Sequence, residues 1–182
     1  MRKLLLILAL LSQNSSASVF IYDSYFGGYP SPFFGEVVGR SDDQIYMLRD
    51  DAAAAYLNMK ADAEIAGFTL SLNSAYRTTA DQRRMLRQRK RWAAPMGYSL
   101  HQSGLAIDIA GTLHRCRGKK RRVCRSAFYH WLQKNAPNHG WHNTAPKEPW
   151  HWSFVGADDL AALHGKTRGI RTSFLRPPDC SY

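Results

Sequence analysis

Three short stretches of the chain alternate large apolar residues with small or polar ones. In residues 105–110, Leu105, Ile107 and Ile109 fall on one side, and Ala106, Asp108 and Ala110 on the other. A period of two is that of a strand with one buried face. Residues 68–73 repeat it, with Phe68, Leu70 and Leu72 opposite Thr69, Ser71 and Asn73. Residues 150–155 do so again: Trp150, Trp152 and Phe154 share a face and His151 points the other way. Helices are predicted where capping patterns precede periodic segments. Ser41-Asp42-Asp43-Gln44 reads as a capping box opening a helix that runs through Ala52 and Ala55 to about Ala66, with Gly67 as its stop. Thr79-Ala80-Asp81-Gln82 opens a second, ending near Trp92 ahead of Pro95. A third is expected over 126–136, stopped by Pro137 and Gly140, and a short one over 158–164. Residues 18–40, rich in Gly, Pro, Tyr and Phe, are expected as an irregular wrap. Strands and helices do not alternate as regular parallel units, so the fold class predicted is α+β.

Composition sets bounds on this picture. The 182 residues are 45% apolar, 21% charged and 12% aromatic, which is globular and sufficient for one core. Disordered and collagen-like chains are excluded. There is no run of about 18 apolar residues, so no ordinary membrane span is expected. Arg2 and Lys3 precede an apolar run from Leu4 to Leu11, followed by Ser15-Ser16-Ala17. These are the three parts of a secretory signal, with the cut expected after Ala17. The domain organisation predicted is therefore a signal peptide over 1–17 and a single domain over 18–182, exported to the periplasm or beyond. Loss of Arg2 and Lys3 lowers the net charge from +11 to +9.

Export changes the meaning of the cysteines. Cys116 and Cys124 flank a basic segment, and in an oxidising compartment they would close a short loop worth about 2–3 kcal/mol. A metal site is the alternative, although no two of the three cysteines have C-x-x-C spacing. Cys180 is then the odd one, either free or paired between chains.

The candidate chemistry sits in three segments. Asp108, between two alanines on a mostly apolar strand, is costly to bury without a partner, and a metal would supply one. His101 lies just ahead of that strand, with Gly104 as a turn between them. His151 is on another strand, and Glu148 precedes it by three residues across Pro149. Two imidazoles and a carboxylate leave the fourth tetrahedral position for water, as a catalytic zinc site requires, and Glu148 would act as the general base. Arg77, just past the strand at 68–73, suits a carboxylate or a developing oxyanion. Taken singly, each has an ordinary role as a solvated, salt-bridged or structural residue.

Together, Ser74-Ala75-Tyr76-Arg77, the ten residues from Ser99 to Asp108, and Glu148-Pro149-Trp150-His151 resemble the VanY-like D-alanyl-D-alanine carboxypeptidases, with His139-Gly140-Trp141 also fitting. The resemblance covers roughly 45–160. It implies a zinc metallopeptidase of the cell wall with the hedgehog/DD-peptidase fold, a small antiparallel sheet flanked by helices. It implies one Zn2+ per chain on His101, Asp108 and His151, Glu148 as catalytic base, Arg77 as the residue that binds and polarises substrate, and Gln82 and Ser99 as contacts to the substrate's terminal residue. The substrate implied is the stem peptide of peptidoglycan, losing its terminal D-Ala. Relatives of this fold also act as L,D-carboxypeptidases or D,D-endopeptidases, and both stay open. The basic stretch 112–125 does not match the family pattern in detail.

Positive charge gathers at Arg83, Arg84, Arg87, Arg89, Lys90 and Arg91, and again at Arg115, Arg117, Lys119, Lys120, Arg121, Arg122 and Arg125. Outside the cytoplasm the polyanions within reach are envelope polymers. Solvated faces are the plain alternative. A non-catalytic, secreted basic binding module is the reading from another class. No nucleic-acid motif accompanies the charge, so no nucleic acid partner is expected.

Overall fold

The computed structural model describes residues 18–41, 43–88, 93–116 and 123–155. In chain order the elements are β1 (Val19–Ile21), β2 (Tyr25–Phe26), β3 (Tyr29–Pro30), β4 (Phe33–Arg40), β5 (Ile45–Arg49), α1 (Asp50–Ile65), β6 (Leu72–Ser74) and α2 (Thr79–Gln88). A 3-10 turn over Leu100–Ser103 leads into β7 (Ala106–Ile109), β8 (Leu113–Arg115), β9 (Val123–Arg125) and α3 (Ala127–Asn135). A second 3-10 turn, Ala136–His139, leads to β10 (Trp141–His142) and β11 (His151–Phe154). The architecture is α+β, as the sequence predicts.

Two antiparallel sheets organise the molecule. One has the order β1-β4-β5, and the other β10-β11-β7-β6. β7 is central in the second sheet because both its faces are useful. Leu105, Ile107 and Ile109 enter the core with Trp141, Trp152 and Leu132, while Asp108 faces away from it. α1 packs on the first sheet through Ala52, Ala53, Tyr56, Met59 and Ala63. Fully buried alanines at 52 and 53 let the helix lie close to the strands. The Ser126 hydroxyl caps α3 by accepting from the Tyr129 amide at 3.0 Å.

Several predicted boundaries are corrected. Residues 18–40 are not irregular: they build β1 to β4. The first helix starts at Asp50 rather than at the Ser41 box. Residues 45–49 alternate in burial and pair with β4, and Ser41 and Gln44 close the hairpin between them (Ser41 N to Gln44 O, 2.8 Å). Pairing along a whole strand outweighs a local cap. The cap of α2 falls one residue earlier than predicted, at Thr78, whose hydroxyl accepts from the Asp81 amide at 3.2 Å and donates to the Asp81 carboxylate at 2.7 Å. The strand at 68–73 shortens to β6, yet Phe68, Leu70 and Leu72 still turn towards the core. Trp150 precedes β11 instead of sharing a strand face with Trp152. The signal segment, the short helix at 158–164 and Cys180 lie outside the described residues. Cys116 and Cys124 form the expected disulfide, with Cα atoms 5.3 Å apart, joining β8 to β9.

Candidate metal centre

Asp108 and His151 face each other across the β7–β11 ladder as direct register partners. Opposed residues on one face of an antiparallel pair have Cβ atoms about 5 Å apart, so two such side chains converge without help from any loop. His101 arrives from the 3-10 turn. Gly104 ends that turn at φ +68, a conformation costly for other residues, and any Cβ there would strike Phe33 at 2.7 Å and the Arg49 amide at 2.8 Å. The turn is thereby pressed against the other sheet, and His101 is fixed in depth.

Three donor atoms meet. His101 Nε2 is 3.3 Å from His151 Nδ1 and 3.4 Å from Asp108 Oδ1, and His151 Nδ1 is 3.2 Å from the same oxygen. A tetrahedral ion at about 2.0–2.1 Å from each ligand sets its ligands about 3.3 Å apart. The outer nitrogens are already committed. His101 Nδ1 donates to the Ala75 carbonyl at 2.7 Å, and His151 Nε2 lies 3.3 Å from the Ser153 hydroxyl, itself 2.8 Å from that of Thr144. With the ring protons outward, three lone-pair atoms face one another and need a cation between them. The two nitrogens and one oxygen suit zinc better than magnesium or calcium, which take oxygen ligands. His101, Asp108 and His151 thus fit a metal ion.

The electrostatics agree. Burial pushes the His101 pKa down, against the pull of Asp108, and favours the neutral imidazole a metal needs. Burial alone would raise Asp108, but hydrogen bonds and charge from the two imidazoles in their protonated form outweigh it and hold the carboxyl well below the usual range.

The site opens into a cleft of about 390 Å³ lined by Arg77, Ser99, Glu148 and Trp150 together with the three candidate ligands. Glu148 reaches it from the turn before β11. That turn is pinned: Asn143 Nδ2 donates to the Glu148 carbonyl at 3.0 Å and to the His151 carbonyl at 2.8 Å. Arg77 follows β6, and its amide donates to the His101 carbonyl at 2.9 Å. Burial lowers its pKa, while Asp108, Asp81 and Glu148 oppose that, and the guanidinium stays charged. Its Nη1 donates to Gln82 Oε1 at 2.9 Å and its Nη2 lies 3.9 Å from Asp108 Oδ2.

The sequence-predicted residues therefore separate into two groups. His101, Asp108, His151, Glu148, Arg77 and Ser99 share one cleft. Gln82 lies behind it, fully buried, and its Nε2 donates to the Ala94 carbonyl at 2.7 Å. It props Arg77 against the 93–98 segment. Ser99 makes no side-chain cap for its turn, so its hydroxyl is not spent on the backbone there. Two contributors escaped the sequence reading. Asn143 carries no motif of its own. Trp150 was placed on one strand face with Trp152 and Phe154, but the strand starts one residue later and Trp150 lines the cleft.

Known proteins are similar to this chain. A D-alanyl-D-alanine carboxypeptidase of Enterococcus faecium is 29% identical over 140 residues, which are 70% of this chain and 44% of that protein, so the chain spans less than half of that relative's length. A vancomycin-resistance D,D-pentapeptidase VanY, solved as a mutant in complex with Zn(II), superposes with a TM-score of 0.52 at 21% identity, covering 72% of this chain and 84% of the other. The LdcB LD-carboxypeptidase gives a TM-score of 0.52 at 26% identity, over 83% of this chain and 73% of its own. The family described as VanY, D-alanyl-D-alanine carboxypeptidase, matches residues 45–157, the stretch that holds both histidines, the aspartate, Arg77 and Glu148. The chain belongs to the VanY family.

Proposed function

We propose that this protein is a zinc-dependent D-alanyl-D-alanine carboxypeptidase that removes the terminal D-Ala from peptidoglycan stem peptides. The spacing of the three donor atoms beside a glutamate-lined cleft carries this reading. His101, Asp108 and His151 would hold the ion. When bound, zinc supplies Lewis acidity, bringing the pKa of water at the site towards about 7. Glu148 accepts the proton of the attacking water and returns it to the leaving nitrogen, so the C–N bond breaks with a neutral amine as leaving group and not an amide anion. Arg77 pairs with the negative charge that develops on the scissile carbonyl. Gln82 keeps that guanidinium aimed, and Ser99 offers a hydroxyl to the terminal residue. Asn143 holds the Glu148 and His151 backbones at one separation.

Export and a mature charge of +9 suit work on an anionic envelope, and Arg83 and Arg87 on α2 lie on a surface that would be drawn to such polymers, less strongly in salt. The test is mass spectrometry of a stem pentapeptide ending in D-Ala-D-Ala, with and without chelator. Loss of one D-Ala, abolished by chelator and restored by zinc, is the expected result. Products cut only at the L,D bond would move the protein to the L,D-carboxypeptidases. A peptide left intact at every metal load would sink the hydrolase reading and favour the binding module.

A further inference from the structure

Residues 18–44 precede the stretch that the family match covers, yet they are fastened to the cleft at two places. At the first, Asp23 takes the Thr79 amide at 2.8 Å and the Thr79 hydroxyl through its carboxylate, and its carbonyl accepts from the Tyr76 hydroxyl. These residues flank Arg77. At the second, the Gly28 amide donates to the Gly97 carbonyl at 2.9 Å. Gly97 is held from the other side by Gln102, whose buried Oε1 accepts from its amide at 2.9 Å. The first fastening precedes the β2–β3 hairpin and the second is at its tip, Gly27 and Gly28, with Phe26 opposite Tyr29.

At Gly28 a ring occupies the space a side chain would need. A Cβ at Gly28 would lie 2.8 Å from the hydroxyl of Tyr98 and 2.9 Å from its ring. Tyr98 also lines the cleft, so the hairpin and the cleft share a wall. Tyr98 is 60% exposed, Phe26 45% and Tyr29 77%. One of these large exposed rings stands on the cleft wall, and the other two are carried by the hairpin whose tip packs against it; apolar surface kept in water on a segment tied down by hydrogen bonds suits a ligand contact.

We infer that Phe26, Tyr29 and Tyr98 form an aromatic subsite for the glycan of peptidoglycan, alongside the peptide cleft. The inference rests on the peptidase reading above. A cleft of about 390 Å³ holds the end of a stem peptide but not the polymer that bears it. Five extended residues reach about 17 Å, so the sugars fall near the rim and not in the cleft. Pyranose rings present apolar C–H faces that pack on aromatic faces, and a tyrosine hydroxyl can meet their rim of hydroxyls. Continuity through Tyr98 favours a ligand that enters the cleft at one end, as a peptide-bearing glycan does and a lipid surface does not.

The test uses the full chain as purified and glycan strands stripped of their stem peptides. The wild type is expected to bind them in a sedimentation assay. Phe26→Ser with Tyr29→Ser is expected to weaken binding at least fivefold, and Phe26→Tyr with Tyr29→Phe to restore it to within about twofold. The ratio of turnover on intact peptidoglycan to turnover on the free pentapeptide should fall by a similar factor in the serine pair. As a second measurement, the ring resonances of Phe26, Tyr29 and Tyr98 in the wild type should shift on adding glycan. Absence of wild-type binding, equal binding by the serine pair, unshifted rings, or binding only to anionic phospholipid vesicles would each overturn the subsite. Glycan binding that depends on the rings without any peptide hydrolysis would leave the subsite standing and remove the peptidase reading. Hydrolysis without ring-dependent glycan binding would do the reverse.

Discussion

The two sheets divide the work unequally. The β10-β11-β7-β6 sheet carries Asp108 and His151 directly, placed by ladder register. The β1-β4-β5 sheet contributes no candidate ligand among the described residues, yet the loops bearing the rest of the site hang from its last strand. The Tyr76 amide donates to the Met47 carbonyl at 2.9 Å, just before Arg77, and the Arg49 amide donates to the Gly104 carbonyl at 3.1 Å, just after the turn that bears His101. Phe33 adds a ring against Tyr76, with centroids 5.7 Å apart. Polar groups that must meet to within a few tenths of an ångström are set by one ladder and braced by another. Chemistry and stability should therefore separate when each sheet is disturbed.

The sharpest separation is expected at Glu148. Glu148→Gln should lower kcat about 1,000-fold while metal content and unfolding midpoint stay at wild-type values, since general acid–base help is worth about 10²–10⁴. Steady-state kinetics with metal analysis checks this. A wild-type rate would remove Glu148 from its role.

On the other side, Met59 is fully buried in α1 beneath the first sheet. Met59→Ala should cost about 3 kcal/mol of stability by denaturant unfolding, with metal stoichiometry of the folded protein unchanged. Loss of metal in the still-folded variant would mean the bracing is tighter than two backbone bonds suggest.

These contrasts bear on what could be read from residues alone. β7 and β11 were legible because alternating large apolar side chains leave a period of two in the sequence, and Asp108 and His151 stood out as the polar exceptions. The hairpin of β4 and β5 was not legible. Ser41 and Gln44 mimic a cap, and only pairing with residues 33–40, distant in the local window, shows that 45–49 is a strand. Gln82 was read as a helix cap or a substrate contact. With Thr78 as the cap, Asp81 takes the N3 role, and Gln82 is left free to accept from Arg77 behind the cleft.

A third prediction uses alkaline pH. Burial, aided by the charge of Glu64, pushes the Tyr56 phenol up to about 12 from 10.0. Below pH 10 both folded and unfolded chains keep that proton. Between pH 10 and about 12 only the unfolded chain gives it up, so stability present at neutral pH is lost across that window, by about 2 kcal/mol. Tyr56→Phe should flatten this part of the pH–stability profile. An unchanged profile would show that the phenol ionises without unfolding α1.

The smallest effect expected is at Asn143, which touches neither metal nor substrate. Asn143→Ala removes two hydrogen bonds to the Glu148 and His151 carbonyls, and kcat should fall about tenfold with KM little changed. Asn143→Asp, which cannot donate to carbonyls when ionised, should not rescue it. A rise in KM alone would place Asn143 in substrate binding instead.

The sequence by itself determined the chemistry: which residue types were present, which of them broke an apolar alternation, and the α+β class. Hydrophobic periodicity and donor identity are properties of local sequence, so they survive without coordinates. Tertiary structure alone decided distances and supports. It set the 3.2–3.4 Å triangle of donor atoms, the bracing of Arg77 by Gln82, and the seating of an aromatic hairpin beside the cleft. The triangle and the hairpin depend on segments up to about 70 positions apart being held together by burial and backbone pairing, and even Arg77 and Gln82, five apart, are aligned by groups outside their own window.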